Sequence, residues 1–148
     1  MTQCLACLVN SGEQSPPGGV IWNDGLWQVD HRVHPCPTLG WLIVKPIRHV
    51  EFFDDLTPEE ASRFGSLLKR VTAALRACLP ESPVKVYTIL FAESADCPHI
   101  HFHVVPRMKD HPVEFRGPHV FGLSGDIATD EIEQLAQRLR SELSGSPA

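Results

Sequence analysis

Three histidines separated by single apolar residues are the most reactive feature of the sequence: His99, His101 and His103. Successive side chains of a β-strand point to opposite faces, so a strand over residues 99–105 would place all three imidazoles on one face. The apolar residues between them would then lie on the other face, against a core. Because imidazole titrates at about pH 6.5, each ring could act at neutral pH as a base, a nucleophile or a metal ligand.

Three interpretations of this row remain open from the residues themselves. The histidines could be surface residues without chemistry, although their regular alternation with apolar residues disfavours chance. The three rings could together bind one catalytic zinc ion, as three histidines do in some zinc enzymes. Alternatively, one ring could attack a phosphorus atom while its neighbours position the phosphate.

Cys4 and Cys7 form a Cys-x-x-Cys pair. Zinc prefers four ligands and no second pair of this kind follows, so the pair alone supplies half of a zinc site. A redox pair and two buried thiols are the alternatives.

A long amphipathic helix is predicted over residues 57–79. Thr57 can cap its N-terminus, Pro58 suits the first helical position, and Glu60 completes a capping box. Apolar residues recur along it at helical spacing, so we expect one face to pack on a sheet. The remaining patterns predict strands over residues 20–22, 26–30, 41–45, 84–91 and 99–105, the first two joined as a hairpin by Asn-Asp-Gly.

The C-terminal third is less regular. Residues 106–125 are rich in proline, glycine and histidine and predict a long loop, which in a compact domain is either functional or wrongly assigned. Thr129 is expected to cap a short C-terminal helix. Residues 144–148 are expected to fray.

Composition narrows the class of protein. A chain of 148 residues predicts one domain over residues 1–148. The net charge of −5 argues against a nucleic-acid-coating protein, and the longest aliphatic or aromatic run is too short to span a membrane. Five cysteines without a recognisable secretion signal predict reduced thiols and a cytoplasmic location.

The sequence His-Ile-His-Phe-His-Val-Val from His99 resembles the signature of the histidine triad (HIT) superfamily of nucleotide hydrolases and transferases. Pro46-x-x-His49, the helix start at residues 56–60 and the following Pro106-Arg107 also resemble this family. The resemblance implies an α+β fold with a mostly antiparallel five-stranded sheet, one long central helix, a short C-terminal helix and a homodimer.

The resemblance also implies roles for the histidines. His101 would attack the α-phosphorus of a nucleotide and form a covalent nucleotidyl intermediate, which water or another acceptor resolves. His103 would contact the phosphate and help the leaving group, and His99 would orient the nucleophile or bind metal. Similarity to bacterial members and to uridylyltransferases implies a structural zinc site. Its ligands would be Cys4, Cys7, His49 and His99.

Several positions depart from the family pattern and leave the substrate preference open. The polar segment before the triad lacks the usual glutamine, and Ser94 is the candidate phosphate contact. Trp41 replaces the usual histidine and could stack a base, while Asp30 is the candidate ribose-binding acid. Lys45 and Arg107 could meet substrate phosphates but are expected by default to be solvated charges.

The sequence therefore predicts an enzyme acting on a nucleoside phosphoramidate or a dinucleoside polyphosphate through His101. A zinc hydrolase with a three-histidine metal centre and a nucleotide-binding module without turnover are the alternative functions.

Overall fold

The structure is a computed structural model that describes residues 3–145. Three α-helices and five β-strands make up the fold, with short 3₁₀ turns between some of them. In chain order these elements are α1 (Leu5–Ser11), β1 (Val20–Asn23), β2 (Trp27–His31), β3 (Leu42–Pro46), α2 (Pro58–Cys78), β4 (Lys85–Leu90), β5 (Phe102–Arg107) and α3 (Thr129–Gly145).

The five strands form one sheet in the order β1-β2-β3-β5-β4, and every neighbouring pair is antiparallel. The predicted α+β class and five-stranded antiparallel sheet are confirmed. The hairpin between β1 and β2 forms where Asn-Asp-Gly predicted it, because Gly25 takes a φ of 87° and the Asp24 carboxylate accepts the backbone N–H of Trp27 at 2.8 Å.

One face of the sheet packs against α2 and α3 and forms the main core. Every second residue of these strands points to that face, because strand side chains alternate between the two faces of a sheet. These residues are Trp27, Val29, Leu42, Val44, Phe102 and Val104.

Helix α2 begins as predicted. The Thr57 hydroxyl accepts the N–H of Glu60 at 3.1 Å, and the Glu60 carboxylate accepts the N–H of Thr57 at 2.8 Å, which completes the capping box. The carboxylate also binds Arg48, and the backbone carbonyl of Glu60 accepts the indole N–H of Trp27 at 2.9 Å. This helix start is thereby joined to the sheet.

The opposite face of the sheet carries polar side chains on β2 and β3 and a smaller apolar cluster around Val105 on β4 and β5. The residues alternating with the core set on β2 and β3 are Gln28, Asp30, Ile43 and Lys45, and His103 lies beside Ile43 on β5. Helix α1, which the sequence did not predict, borders this face. Seven residues are too few for a stable isolated helix, so packing of Ala6 and Val9 supports it.

The strand that carries the histidine motif and the segment after it also differ from the prediction. Strand β5 begins at Phe102, so His99 and His101 precede it instead of lying within it. Residues 106–125 include the end of β5 and two 3₁₀ turns, Val113–Phe115 and Gly117–Gly122.

The C-terminal helix was expected to be short, but α3 has 17 residues, because its apolar stripe continues to Leu143. Ser144 and Gly145 are helical where fraying was expected, and residues 146–148 lie outside the described residues. No helix within residues 3–145 is long and apolar enough to cross a bilayer.

Candidate active site

A cavity of about 340 Å³ opens on the polar face of the sheet. Helix α1, the ends of β2 and β3, the segment before β5 and β5 itself enclose it. Its lining residues are Leu5, Ala6, Val9, Asp30, His31, Arg32, Val33, Ile43, Lys45, Ser94, Asp96, Cys97, His101, His103 and Phe121.

His101 lines this cavity from the segment just before β5. Its Nδ1 lies 2.8 Å from the backbone carbonyl of His99. A carbonyl only accepts, so Nδ1 carries the proton and Nε2 carries the lone pair. Burial lowers the pKa of His101, and the Lys45 ammonium lowers it further, so the ring is neutral at pH 7. A neutral imidazole with a free Nε2 lone pair is a competent nucleophile.

His103 lines the cavity from β5, and its partner is different. Its Nδ1 accepts the indole N–H of Trp41 at 2.9 Å. Burial, followed by His101 and the Arg32 guanidinium, lowers the pKa of His103 to about 3. The ring therefore stays neutral, with its proton on the other nitrogen.

His99 is completely buried and is not part of the cavity lining. The prediction that His99, His101 and His103 share one strand face is wrong, because His99 turns away before the strand begins. Its Nε2–H donates to the backbone carbonyl of Pro46 at 2.8 Å, and its Nδ1 lies 3.5 Å from Cys7 Sγ. Burial is the main cause that lowers the pKa of His99 to about 4.

Cys4, Cys7, His49 and His99 bring their ligand atoms within 4.8 Å of one another. The Nδ1 atoms of His49 and His99 lie 3.1 Å and 3.5 Å from Cys7 Sγ. Bonds of about 2.3 Å to sulfur and about 2.0 Å to nitrogen separate the ligands of a tetrahedral zinc ion by about 3.3–3.8 Å. The group therefore fits a Cys2His2 zinc site.

Hydrogen bonds outside this group orient both of its histidines. His49 Nε2–H donates to the Glu51 carboxylate at 3.0 Å, as His99 Nε2–H donates to Pro46. Each bond leaves Nδ1 unprotonated and directed at the cysteines, which is how outer partners prepare histidine ligands for metal. Burial and Cys4 raise the pKa of the Cys7 thiol to about 11 in the absence of a metal, so a bound cation would have to displace its proton.

Within residues 3–145, His101 and His103 belong to no converging group of three or more potential ligands. The geometry therefore does not assemble a catalytic metal centre from the three histidines.

A buried ion pair joins Asp30 and Lys45 at the floor of the cavity. The Lys45 side chain is 2% exposed, so the expectation of a solvated charge is wrong for this residue. Gln28 also donates to Asp30 Oδ2, at 3.1 Å. The alternation of Gln28 and Asp30 with apolar residues on β2 was the sequence signal for a polar face at this position.

Of the four residues predicted to bind substrate, two line the cavity and two do not. Asp30 and Ser94 line the cavity. Trp41 is completely buried, bonded to His103 and in contact with Arg32 and Phe121, so it presents no ring face for a base to stack on. Arg107 does not line the cavity and lies four residues after His103, about 13 Å along β5.

Arg32 and Phe121 also line the cavity, and the sequence reasoning did not single them out. Phe121 comes from the segment predicted to be an irregular loop, and its ring centroid lies 5.0 Å from that of His103. Neither residue belongs to a motif or lies at a characteristic spacing from the histidines. Only the tertiary structure shows that both line the same cavity as His101 and His103.

Comparison with known proteins identifies the domain. A family model described as the HIT domain matches residues 19–110. No curated protein gives a significant match to the sequence.

Solved structures share the fold at low sequence identity. A hypothetical histidine triad nucleotide-binding protein from Sulfolobus tokodaii is 16% identical, with a TM-score of 0.72 over 95% of this chain and 92% of that one. A zinc-bound histidine triad family protein from Mycobacterium smegmatis is 23% identical, with a TM-score of 0.69 over 95% and 93%. A uridylyltransferase is 17% identical, with a TM-score of 0.69 over 99% of this chain and 46% of its own.

Proposed function

The chain belongs to the histidine triad (HIT) family, and on that premise we propose that it is a nucleotide hydrolase or nucleotidyl transferase acting at an α-phosphate. Its substrate class is nucleoside phosphoramidates or dinucleoside polyphosphates. The observation that carries the proposal is the hydrogen bond from His101 Nδ1 to the carbonyl of His99, because it leaves a nucleophilic Nε2 on a ring that lines the cavity.

The reaction has two displacements. His101 Nε2 forms a bond to the α-phosphorus, and the bond from phosphorus to the leaving group breaks with its electron pair on that group. Water or another acceptor then attacks phosphorus and releases a proton to the solvent, and the electron pair of the P–N bond returns to His101. His103 Nε2–H donates to the phosphoryl oxygens, where negative charge grows.

Asp30 and Ser94 are the proposed substrate contacts. One Asp30 oxygen is occupied by Lys45 and Gln28, which leaves the other to accept a ribose hydroxyl. Ser94 lies beside Asp96 and Cys97 on the cavity wall, and its hydroxyl is the proposed contact to the reacting phosphate. Arg107 lies too far along β5 to share these contacts.

We also propose that Cys4, Cys7, His49 and His99 bind a structural Zn²⁺. A zinc ion there would join α1 to the segments that follow β3 and precede β5. His99 would then be held rigidly, and its backbone carbonyl holds His101.

The proposed assembly is a cytoplasmic homodimer without a nucleic-acid or membrane partner. No disulfide joins any of the five cysteines, all of which lie within the described residues 3–145, and this supports the proposal of a reducing compartment. Strand β4 forms one edge of the sheet, and exposed Val84 and Phe91 flank its two ends. At the other edge, Arg140 donates to the carbonyls of Gly18 and Val20. The β4 edge is therefore the one that suits a second copy.

The test is AMP release from diadenosine tetraphosphate and from an adenosine phosphoramidate by wild type, His101→Ala and His119→Ala. His119 is exposed and outside the cavity, so it controls for loss of a histidine. We expect wild type and His119→Ala to turn over at least one substrate and His101→Ala to be at least about 100-fold slower while folded. Alkaline-quenched mass spectrometry should show a nucleotidyl adduct on His101.

Wild-type turnover matched by His101→Ala would remove the nucleophile assignment. Nucleotide binding without turnover in wild type would instead make the protein a binding module.

A further inference from the structure

Trp41 and His103 share a hydrogen bond whose donor and acceptor are fixed by chemistry. The indole Nε1 lies 2.9 Å from His103 Nδ1, and an indole N–H can only donate. His103 Nδ1 therefore holds a lone pair, and the single proton of the neutral ring is on Nε2. Trp41 thus selects one of the two neutral tautomers of His103.

The packing around Trp41 holds this arrangement. Its side chain is completely buried against Cys36, Val105 and Val120. The Arg32 guanidinium stacks over the indole at 4.2 Å. Turning the ring away would leave its N–H buried without an acceptor, which is unfavourable.

The same surroundings prevent a second proton from binding to His103. That proton would have to go to Nδ1, where the indole N–H already points. The nearby Arg32 cation and burial of the ring also oppose a positive charge, and together with His101 they lower the pKa of His103 to about 3.

A neutral His103 of this tautomer has limited chemistry. Its Nε2–H can donate a hydrogen bond to a phosphoryl oxygen and stabilise the charge that develops there. It cannot pass that proton to a leaving group, because the ring would be left as a strongly basic imidazolate anion. General acid catalysis by His103 would require the imidazolium form.

The leaving group must therefore depart without a proton from His103. In a polyphosphate, the breaking P–O bond leaves its electron pair on a phosphate oxygen, and a phosphate with a second pKa of about 6 is stable as an anion. In a phosphoramidate, the breaking P–N bond leaves its pair on nitrogen, which departs only when protonated.

The other cationic or histidine groups in the cavity are engaged. Arg32 does not release a proton at physiological pH, Lys45 is paired with Asp30, and His101 is the attacking group.

His31 also lines the cavity, and both of its ring nitrogens are bonded. Its Nδ1–H donates to the carbonyl of Arg32 at 3.0 Å, and its Nε2 accepts the N–H of Gly40 at 3.0 Å.

We propose that Trp41 is a positioning residue that makes His103 a hydrogen-bond donor and not an acid, and thereby selects dinucleoside polyphosphates over nucleoside phosphoramidates. The inference rests on the proposed nucleotidyl transfer to His101 and specifies its substrate.

The experiment compares kcat/KM for diadenosine tetraphosphate and an adenosine phosphoramidate in wild type and Trp41→Phe. General acid catalysis typically contributes about 10²–10⁴-fold, so we expect wild type to favour the tetraphosphate by at least about 100-fold. Trp41→Phe frees Nδ1 to take a proton, and the preference should narrow by about tenfold or more. A loss of packing alone would lower both activities together.

Trp22→Phe is the matched control. Trp22 also lies under a guanidinium, that of Arg70 at 4.6 Å, but its buried indole N–H has no partner among residues 3–145. It lies on β1, away from the cavity. We expect Trp22→Phe to leave the substrate preference unchanged.

The tautomer can be measured without activity. Long-range ¹H–¹⁵N NMR of wild type should show the neutral His103 ring protonated on Nε2 and unprotonated on Nδ1. A wild-type ring protonated on Nδ1 overturns the inference, as does a preference that Trp41→Phe does not change.

The two proposals fail in different ways. Equal kcat/KM for both substrates in wild type, with His101→Ala inactive on both, overturns the role of Trp41 and leaves the proposed function standing. Absence of turnover, or full activity of His101→Ala, overturns the proposed function and this inference with it.

Discussion

His101 and His103 are two residues apart, line the same cavity and carry their protons on opposite nitrogens. His101 Nδ1 donates to a carbonyl, whereas His103 Nδ1 accepts from an indole. The partner at Nδ1 thus decides the role available to Nε2, which is a lone pair on one ring and a donor on the other. Identical side chains in one motif acquire complementary functions from their neighbours.

At the same scale, the buried pair of Asp30 and Lys45 should be costly to break. Lys45→Met leaves the Asp30 carboxylate buried with Gln28 as its remaining donor, and we expect it to lower the free energy of unfolding by about 3–5 kcal/mol. Adding Asp30→Asn should recover most of this loss, because the amide is neutral. Urea unfolding without nucleotide measures both variants. Equal stability of Lys45→Met and wild type would contradict the expected cost of leaving the Asp30 carboxylate without its cation.

At the scale of elements, helix α1 depends on what surrounds it. It has seven residues, begins after Cys4, contains Cys7 and ends at Gly12 in the left-handed conformation, with a φ of 82°. Its side chains form one wall of the cavity, while both cysteines point to His49 and His99. A metal held by these four residues would therefore stabilise the cavity wall as well as the histidine that positions His101.

This dependence predicts how α1 responds to loss of zinc. Wild type should contain about one zinc per chain by elemental analysis, and Cys7→Ser should contain almost none, because a hydroxyl is a poor ligand for zinc. Backbone amides of Leu5–Ser11 should exchange with deuterium faster in Cys7→Ser and in chelator-treated wild type.

Cys78→Ser is the control for this experiment. Cys78 is a free thiol at the end of α2, and it does not belong to the cluster. It should keep both the metal and the slow exchange of α1. Wild type purified without zinc, with unchanged exchange after chelation and no uptake of added zinc, would contradict the metal assignment.

For the whole molecule, the two faces of the sheet differ in what they pack against. One face is covered by α2 and α3 and supplies the main core, while the opposite face carries the cavity and the smaller apolar cluster around Trp41. The β4 edge, which the proposed dimer uses, lies at the end of the sheet opposite β1.

A dimer that pairs through the β4 edge should be detectable by its mass in solution. We expect light scattering to give about twice the 16.4 kDa chain mass. Thr88 is exposed on β4 and lies beside α2, so Thr88→Arg should shift the mass toward the monomer by placing like charges opposite each other. Ser141→Arg on the exposed side of α3 should leave the mass unchanged. A monomeric wild type would contradict the proposed dimer.

The sequence by itself determined those features that depend on local pattern. The capping box starts α2, Asn-Asp-Gly closes the hairpin, and alternation places Phe102 and Val104 on the core face. The motif around His101 also indicated the family that the domain comparison shows. Each of these signals lies within a few residues of the structure it specifies.

Tertiary structure decided the features that depend on residues distant in the chain. The His99 ring does not lie on the same face as His101 and His103. It donates to the carbonyl of Pro46 and lies near the thiol of Cys7, outside the cavity. Lys45 is buried because Asp30, on the neighbouring strand, compensates its charge. Trp41 meets His103 across 62 residues, and no local pattern encodes which nitrogen of a distant imidazole an indole will reach.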